Sequence, residues 1–351
     1  MKRKIIDSHW HLYTHTDRDG RDFREVLDKF CEENALAAIN ICSIPIYKDL
    51  GPAQNMLAAI YKLHNRSAYA YAGLVYPEKP FEAPMPSGMD PLSQYNELME
   101  IGFDGIKMLE TKPYEQKDYS VFIDDEYFDS FFAACEENNT HMIWHVADPE
   151  TFWDIDRIPK RFLDKGWYYG DGSYLPLERV YDIVYNILEK HPRLSVHFAH
   201  FFFMSDYPEK LEELFEKYPN VGVDITPGAE MYGSFGKRRE FYRDFFIKYA
   251  DRIMYGSDIS YSGAGLEHLA HRGRSVQDFL TTSNAVTVIA NETKGISLPK
   301  EALDKIFYQN FEKVAGNTPK PINREALVRY VEKYRHLIND QKMLDYILKT
   351  L

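Results

Sequence analysis

Eight short apolar runs punctuate this 351-residue chain, and longer amphipathic stretches alternate with them. The runs at 4–9, 36–44, 69–75, 105–108, 141–145, 194–200, 221–224 and 252–256 read as strands. The stretches at 23–33, 53–65, 91–101, 125–138, 177–191, 209–218 and 235–249 have helical spacing, and a further helix at 300–315 follows the last strand. Eight strands that alternate with helices predict a (β/α)8 TIM barrel. A doubly wound open sheet would announce itself by a glycine-rich phosphate turn after the first strand, and none is present. Two connections are long. Residues 76–90 carry Pro77, Pro80, Pro84 and Pro86, which exclude a regular element. Residues 150–176 carry Phe152, Trp153, Trp167, Tyr168, Tyr169 and Tyr174. In a barrel both loops lie over the C-terminal mouth, as a lid, a pocket wall or ordered caps. The barrel is expected to occupy 1–316. A C-terminal helical extension, 317–351, would dock on it through the stripe Leu327, Val331, Tyr334 and Leu337.

Composition narrows the class. At 44% hydrophobic and 27% charged, the chain has ample core for a soluble globular protein. Forty-two Lys and Arg against 54 Asp and Glu give a net charge of -12, which disfavours nucleic acid as a partner. Three scattered cysteines, Cys31, Cys42 and Cys135, imply no disulfide framework and suit a reducing compartment, with Cys42 and Cys135 as small core residues. The basic start Met1-Lys2-Arg3-Lys4 is followed by no apolar stretch of signal-peptide length, and no segment has the length of a membrane span. A cytoplasmic protein acting on a small molecule, with no nucleic acid or membrane partner and a homodimer as an option, is the expectation.

The chemistry begins in the first strand, Ile5-Ile6-Asp7-Ser8-His9-Trp10-His11. Residues two apart on an extended chain point the same way, so His9 and His11 face one point beside the Asp7 carboxylate. That is half of a divalent-metal site, or a pair of hydrogen-bonded polar residues at a strand end. The fifth strand finishes in His145, followed by Val146-Ala147-Asp148, the sixth in His200, and the eighth in Gly256-Ser257-Asp258. Gly256 shares a face with Asp258, and its missing side chain leaves room below a metal. His197, three residues before His200, faces the other way on a regular strand and reads as structural. Singly, each of these residues has an ordinary explanation. Together, polar strand ends at the same end of one barrel predict a metal site.

Asp-x-His-x-His on strand one, His145, His200 and Gly-Ser-Asp on strand eight resemble the amidohydrolase superfamily. The likeness is greatest to the branch that contains aminocarboxymuconate-semialdehyde decarboxylase. Gly102-Phe103-Asp104-Gly105-Ile106-Lys107, Phe198-Ala199-His200-Phe201-Phe202 and Lys305-Ile306-Phe307-Tyr308-Gln309-Asn310 reinforce it, and the matches run from about residue 5 to residue 316. The resemblance implies that His9, His11, His145 and Asp258 hold one divalent ion. It makes His200 the residue that holds and deprotonates water, with Asp258 sharing the proton work. Such a donor set suits zinc, with manganese, iron or cobalt as alternatives. In some members of the superfamily a carboxylated strand-four lysine bridges two metals. Lys107 has the parity to point inward, and one ion is expected.

Two reactions fit that resemblance: hydrolysis of an amide, ester or lactone through metal-activated water, and non-oxidative decarboxylation of an aromatic or unsaturated acid. A barrel that only binds its ligand is a third reading, disfavoured by the complete ligand set. His9 stands where decarboxylases acting on hydroxybenzoates carry Glu, which counts against that subgroup. Arg238, Arg239, Arg272 and Arg274 are candidates to face a substrate carboxylate, and Lys107, Trp153, Asp224 and Tyr232 are candidate substrate contacts.

Overall fold

The computed structural model describes residues 3–46, 50–77, 80–263 and 266–351. Met1 and Lys2 of the basic start and Glu78 and Lys79 of the proline-rich connection lie outside the described residues. All eight expected strands are present: β1 (Ile6–Leu12), β2 (Ala38–Cys42), β3 (Tyr69–Ala72), β4 (Gly105–Thr111), β5 (Met142–Val146), β6 (Val196–Phe198), β7 (Val221–Asp224) and β8 (Ile253–Met254). A ninth piece, β9 (Ile259–Tyr261), continues the line of β8.

The sheet order is β8-β7-β6-β5-β4-β3-β2-β1-β9, parallel throughout. Because β8 pairs with β7 while β9 pairs with β1, the sheet curls until its ends meet. The Ser8 amide donates to the Tyr255 carbonyl (3.2 Å) and the Asp258 amide to the His9 carbonyl (3.0 Å) across the seam. This is a TIM-barrel-like α/β fold. Alternation along the strands divides the core in two. Trp10, Ile39, Met108, Trp144 and Phe198 belong to the large layer between strands and helices. Ile6, Tyr71, Ile143 and Met254 form a smaller cluster in the barrel interior, with Phe311 against them.

The helices begin where the chain supplies caps. Asp22, Asp90 and Asp125 each accept a first-turn amide, at helices Phe23–Glu33, Pro91–Ile101 and Glu126–Glu137. Gly102 ends the second of these at φ +102°, where a Cβ would lie 2.2 Å from the Pro321 carbonyl oxygen. The expected 235–249 helix is instead two, Met231–Lys237 and Arg239–Lys248, broken at Arg238. Between the last stave and the 300–315 segment, the chain forms a helix, Glu267–Thr281, and an antiparallel hairpin, β10 (Ala285–Val288) with β11 (Asn291–Lys294), neither expected from sequence. The hairpin lies on Met231–Lys237 at Gly233 and Gly236, where a Cβ would stand 3.1 Å from Asn291 Oδ1 and 2.5 Å from Thr293 Oγ1. The 300–315 helix carries one π-helical turn, Lys305–Gln309.

The extension forms helices Arg324–Tyr334 and Gln341–Thr350. Leu327, Val331 and Tyr334 are buried against the chain's own helices, and Asn55 donates to the Tyr330 hydroxyl (2.9 Å). The 150–176 connection has a small core of its own, Phe152, Ile158 and Tyr169. Cys42 and Cys135 are buried free thiols. Among the described residues no helix is long and apolar enough to cross a membrane.

Candidate metal centre

β1 pairs with β2 through a register shift between Asp7 and Trp10. This bulge breaks the simple alternation that would put Asp7 beside His9. Asp7 turns outward, accepting from the Trp10 indole (3.0 Å) and the Ser257 amide (2.9 Å), and burial pushes its carboxyl up to about 6. Asp7 is therefore a strut between the first and last staves rather than part of a ligand set.

His9 and His11 turn toward the barrel axis, and each is held by its other ring nitrogen. His9 Nδ1–H donates to Asp224 Oδ2 (2.8 Å) and His11 Nδ1–H to the Cys42 carbonyl (2.7 Å). Their Nε2 atoms face each other at 3.2 Å. Asp258 Oδ1 lies 3.2 Å from His11 Nε2. One donor atom from each of His9, His11 and Asp258 falls within 4.8 Å of the others.

His145 stands outside this group and faces His200, with His145 Nδ1 3.1 Å from His200 Nε2. Here too the distal nitrogens are committed: His145 Nε2–H donates to the Ala147 carbonyl (3.0 Å) and His200 Nδ1–H to the Thr226 carbonyl (3.2 Å). The His9 and His200 rings are 6.0 Å apart. Four imidazoles thus aim ring nitrogens at one another in two facing pairs. Burial lowers His9 to about 4, helped by the Lys107 ammonium, and burial also lowers His145 and His200, so protons are poor occupants of the gaps. Facing lone pairs at hydrogen-bond distance repel unless a cation lies between them. Together with the Asp258 carboxylate, this donor chemistry fits a divalent ion.

Asp224 carries the orientation. Its carboxylate takes the His9 ring, the His200 amide (2.9 Å), the Thr226 amide (3.0 Å) and the Thr226 hydroxyl. Burial acts to raise its pKa, but the His9 ring and these donors hold it well below the usual carboxylate range. Asp224 is buried behind His9, so the expectation of a pocket wall is corrected. Tyr232 is corrected likewise: it is fully buried, donates to the Ile225 carbonyl (2.7 Å) and packs on Phe279. Lys107 points inward, buried and with no hydrogen-bond partner for Nζ, but it does not reach the open pocket. Trp153 lines a neighbouring cavity, its indole donating to the Leu175 carbonyl. His197, expected to face away from the site, instead shares the barrel interior, bonded to His141 (2.9 Å) with its ring against Gly222. Gly256 is required by packing: a Cβ would meet Thr226 at 2.6 Å and His9 at 3.0 Å, so the space belongs to side chains rather than to a metal.

A cavity of about 360 Å³ opens above the histidines, with His145, His200 and Asp258 in its lining. Phe152, Phe162, Trp167 and Phe203 supply ring surface, and Ile289 reaches in from the tip of the hairpin. Arg272 is the one expected arginine found there, bonded to the Asp258 carbonyl (2.6 Å). Arg238 pairs with Glu209, Arg239 bonds the Gly295 carbonyl, and Arg274 lines a different cavity. Sequence reasoning missed Lys112, which bonds both Asp148 oxygens at 2.6 Å beside His145; Tyr169, expected only as a loop aromatic, donates to the same carboxylate (2.7 Å). Lys112 follows β4 directly, so its place at a strand end was the available signal.

The profile of a family described as amidohydrolase matches residues 6–314. No curated protein matches the chain. Among solved structures, an uncharacterised TIM-barrel protein from Bordetella bronchiseptica is 13% identical over 90% of this chain and 99% of its own, with a TM-score of 0.54. The 2,6-dihydroxybenzoate decarboxylase from Rhizobium is 13% identical over 90% and 99%, with a TM-score of 0.52. A dihydroxybenzoic acid decarboxylase from Polaromonas sp. JS666, with bound manganese and an inhibitor, is 12% identical over 90% and 97%, with a TM-score of 0.53.

Proposed function

The chain belongs to the amidohydrolase family, and on that premise we propose that it is a metal-dependent hydrolase of a small molecule, opening an amide, ester or lactone with water. The observation that carries this reading is the His9, His11 and Asp258 group, whose nitrogens are bared by the Asp224 and Cys42 contacts. His145 is proposed to complete the donor set. A divalent ion held there would polarise the substrate carbonyl and acidify water. Zinc is the first expectation, and manganese gains support from the Polaromonas protein.

The chain's own residues supply the remainder. His200 Nε2 is positioned to take the proton from water and return it to the leaving group, its ring fixed by the Thr226 carbonyl. Asp258 is the proposed partner in that transfer. Phe162, Trp167 and Phe203 offer ring surface to a planar substrate.

Decarboxylation is the second reading. It is favoured by the cations in the cavity lining and by the two dihydroxybenzoate decarboxylases of like fold. The test incubates metal-loaded protein with lactones, esters, amides and aryl carboxylates, and follows carbon dioxide. Ring opening or amine release without gas supports the hydrolase; gas evolution from a carboxylate selects the lyase; no turnover of any class with full metal occupancy sinks both.

A further inference from the structure

We propose that the outer end of this cavity is an anion subsite made by Arg161 and Lys165, so that the substrate is a planar molecule carrying a negative group remote from the metal centre. The inference rests on the metal-centre reading for which end of the substrate reacts, but it uses different residues.

Four cations line the cavity, Lys112, Arg161, Lys165 and Arg272, against two carboxylates, Asp148 and Asp258. This cavity, which has His145 and His200 in its lining, carries an excess of positive charge in a chain of net charge -12. Low-dielectric walls focus such a field onto an incoming anion. Two of the four cations are already committed. Lys112 is bonded to Asp148, and Arg272 holds the Asp258 carbonyl with its carboxylate 3.6 Å away.

Arg161 and Lys165 differ. Among the described residues neither has a hydrogen bond or ion pair from its side chain, although the neighbouring loop cations do: Arg157 pairs with Glu150 and Lys160 with Asp164. Both are instead placed by rings. Arg161 lies 4.7 Å over Phe162, and Lys165 lies 4.9 Å over Trp167. Phe162 and Trp167 are stacked at 5.8 Å with 9° between their planes. Within the lining His200 is buried and His145 half-buried, whereas Arg161 and Lys165 are exposed, so the two free cations mark the solvent side of the cavity and the histidines its floor. A 360 Å³ cavity sits at the low end of the roughly 300–1,000 Å³ of small-molecule sites, which suits one ring and its substituents.

Terephthalate and 4-carbamoylbenzoate test this, because they share a shape and a metal-facing carboxylate and differ only in distal charge. Calorimetric titration of zinc-loaded protein is expected to show terephthalate binding about fivefold tighter at low salt, a preference that shrinks at high ionic strength. In the double variant Arg161→Gln/Lys165→Gln, both side chains being exposed, the fold and zinc content stay unchanged. The preference falls to about one while 4-carbamoylbenzoate affinity is retained, and Arg161→Lys keeps it. Equal affinities in the parent protein, a preference that survives the double variant, or binding of neither compound each overturns the proposal. Zinc content of the same samples shows separately whether the metal-centre reading has failed.

Discussion

Several residues that build the centre sit in backbone conformations rarely used by side-chain-bearing amino acids. Ala147, His200 and Asp258 have φ of 60°, 56° and 53°, and Phe201, Phe202 and Phe203 continue the left-handed turn at 56°, 57° and 52°. Such a conformation costs about 1–2 kcal/mol per residue, and a run of four is tolerated only where surrounding contacts impose it. Phe201 and Phe202 are fully buried, Phe202 stacked on Phe198 at 4.1 Å and Phe201 on Phe246 at 5.9 Å. The turn aims His200 at His145 and Phe203 at the cavity. Alternation alone could not place His200, since β6 ends at Phe198. Asparagine tolerates the left-handed region, so His200→Asn is expected to keep the fold and the metal while losing 100-fold or more in rate, on the order of a general acid–base contribution. Metal analysis and initial rates on the same preparation check this, and an unchanged rate removes the proton role.

At the scale of elements, buried polar ties decide what meets what. Lys62, in helix Ala53–His64, donates to Asp104 Oδ2 (2.5 Å) and to the Gly102 carbonyl (2.8 Å). Asp104 also accepts the Ala70 and Lys320 amides, so one carboxylate joins a helix, β3, the turn into β4 and the start of the extension. Their side chains are 2% and 0% exposed. Lys62→Met would leave a buried charge uncompensated, with an expected loss of about 3–5 kcal/mol in urea unfolding. A loss below 1 kcal/mol would show that water reaches Asp104 in the variant. The β1 bulge is a tie of the same kind, with Asp7 linking Trp10 to Ser257. Periodicity reads strands but not bulges, which is why Asp7 was expected beside His9 and His11.

The whole molecule gathers histidines from β1, β5 and the turn after β6, with a carboxylate from the seam that closes the barrel. A divalent ion held among these facing nitrogens would be a folding ligand as well as a reagent. At a free zinc concentration 100 times Kd the stabilisation is about 2.7 kcal/mol, and for a chain of this size that corresponds to about 4 °C in Tm. Removing metal with a chelator is expected to lower Tm by that order and restoring zinc to recover it. A Tm indifferent to both would leave the facing lone pairs without their proposed occupant.

Strand number, helix alternation and the polar strand ends were written in local patterns of apolar and histidine residues, because those patterns follow from backbone period alone. The stripe of Leu327, Val331 and Tyr334 was legible for the same reason. Which nitrogen of each imidazole is free, whether Asp224 faces the pocket or the back of His9, and which lysine finds a carboxylate depend on residues brought together from distant parts of the chain. Those were decided by barrel closure, because hydrogen-bond partners 24 and 215 residues apart exist only once the staves are side by side.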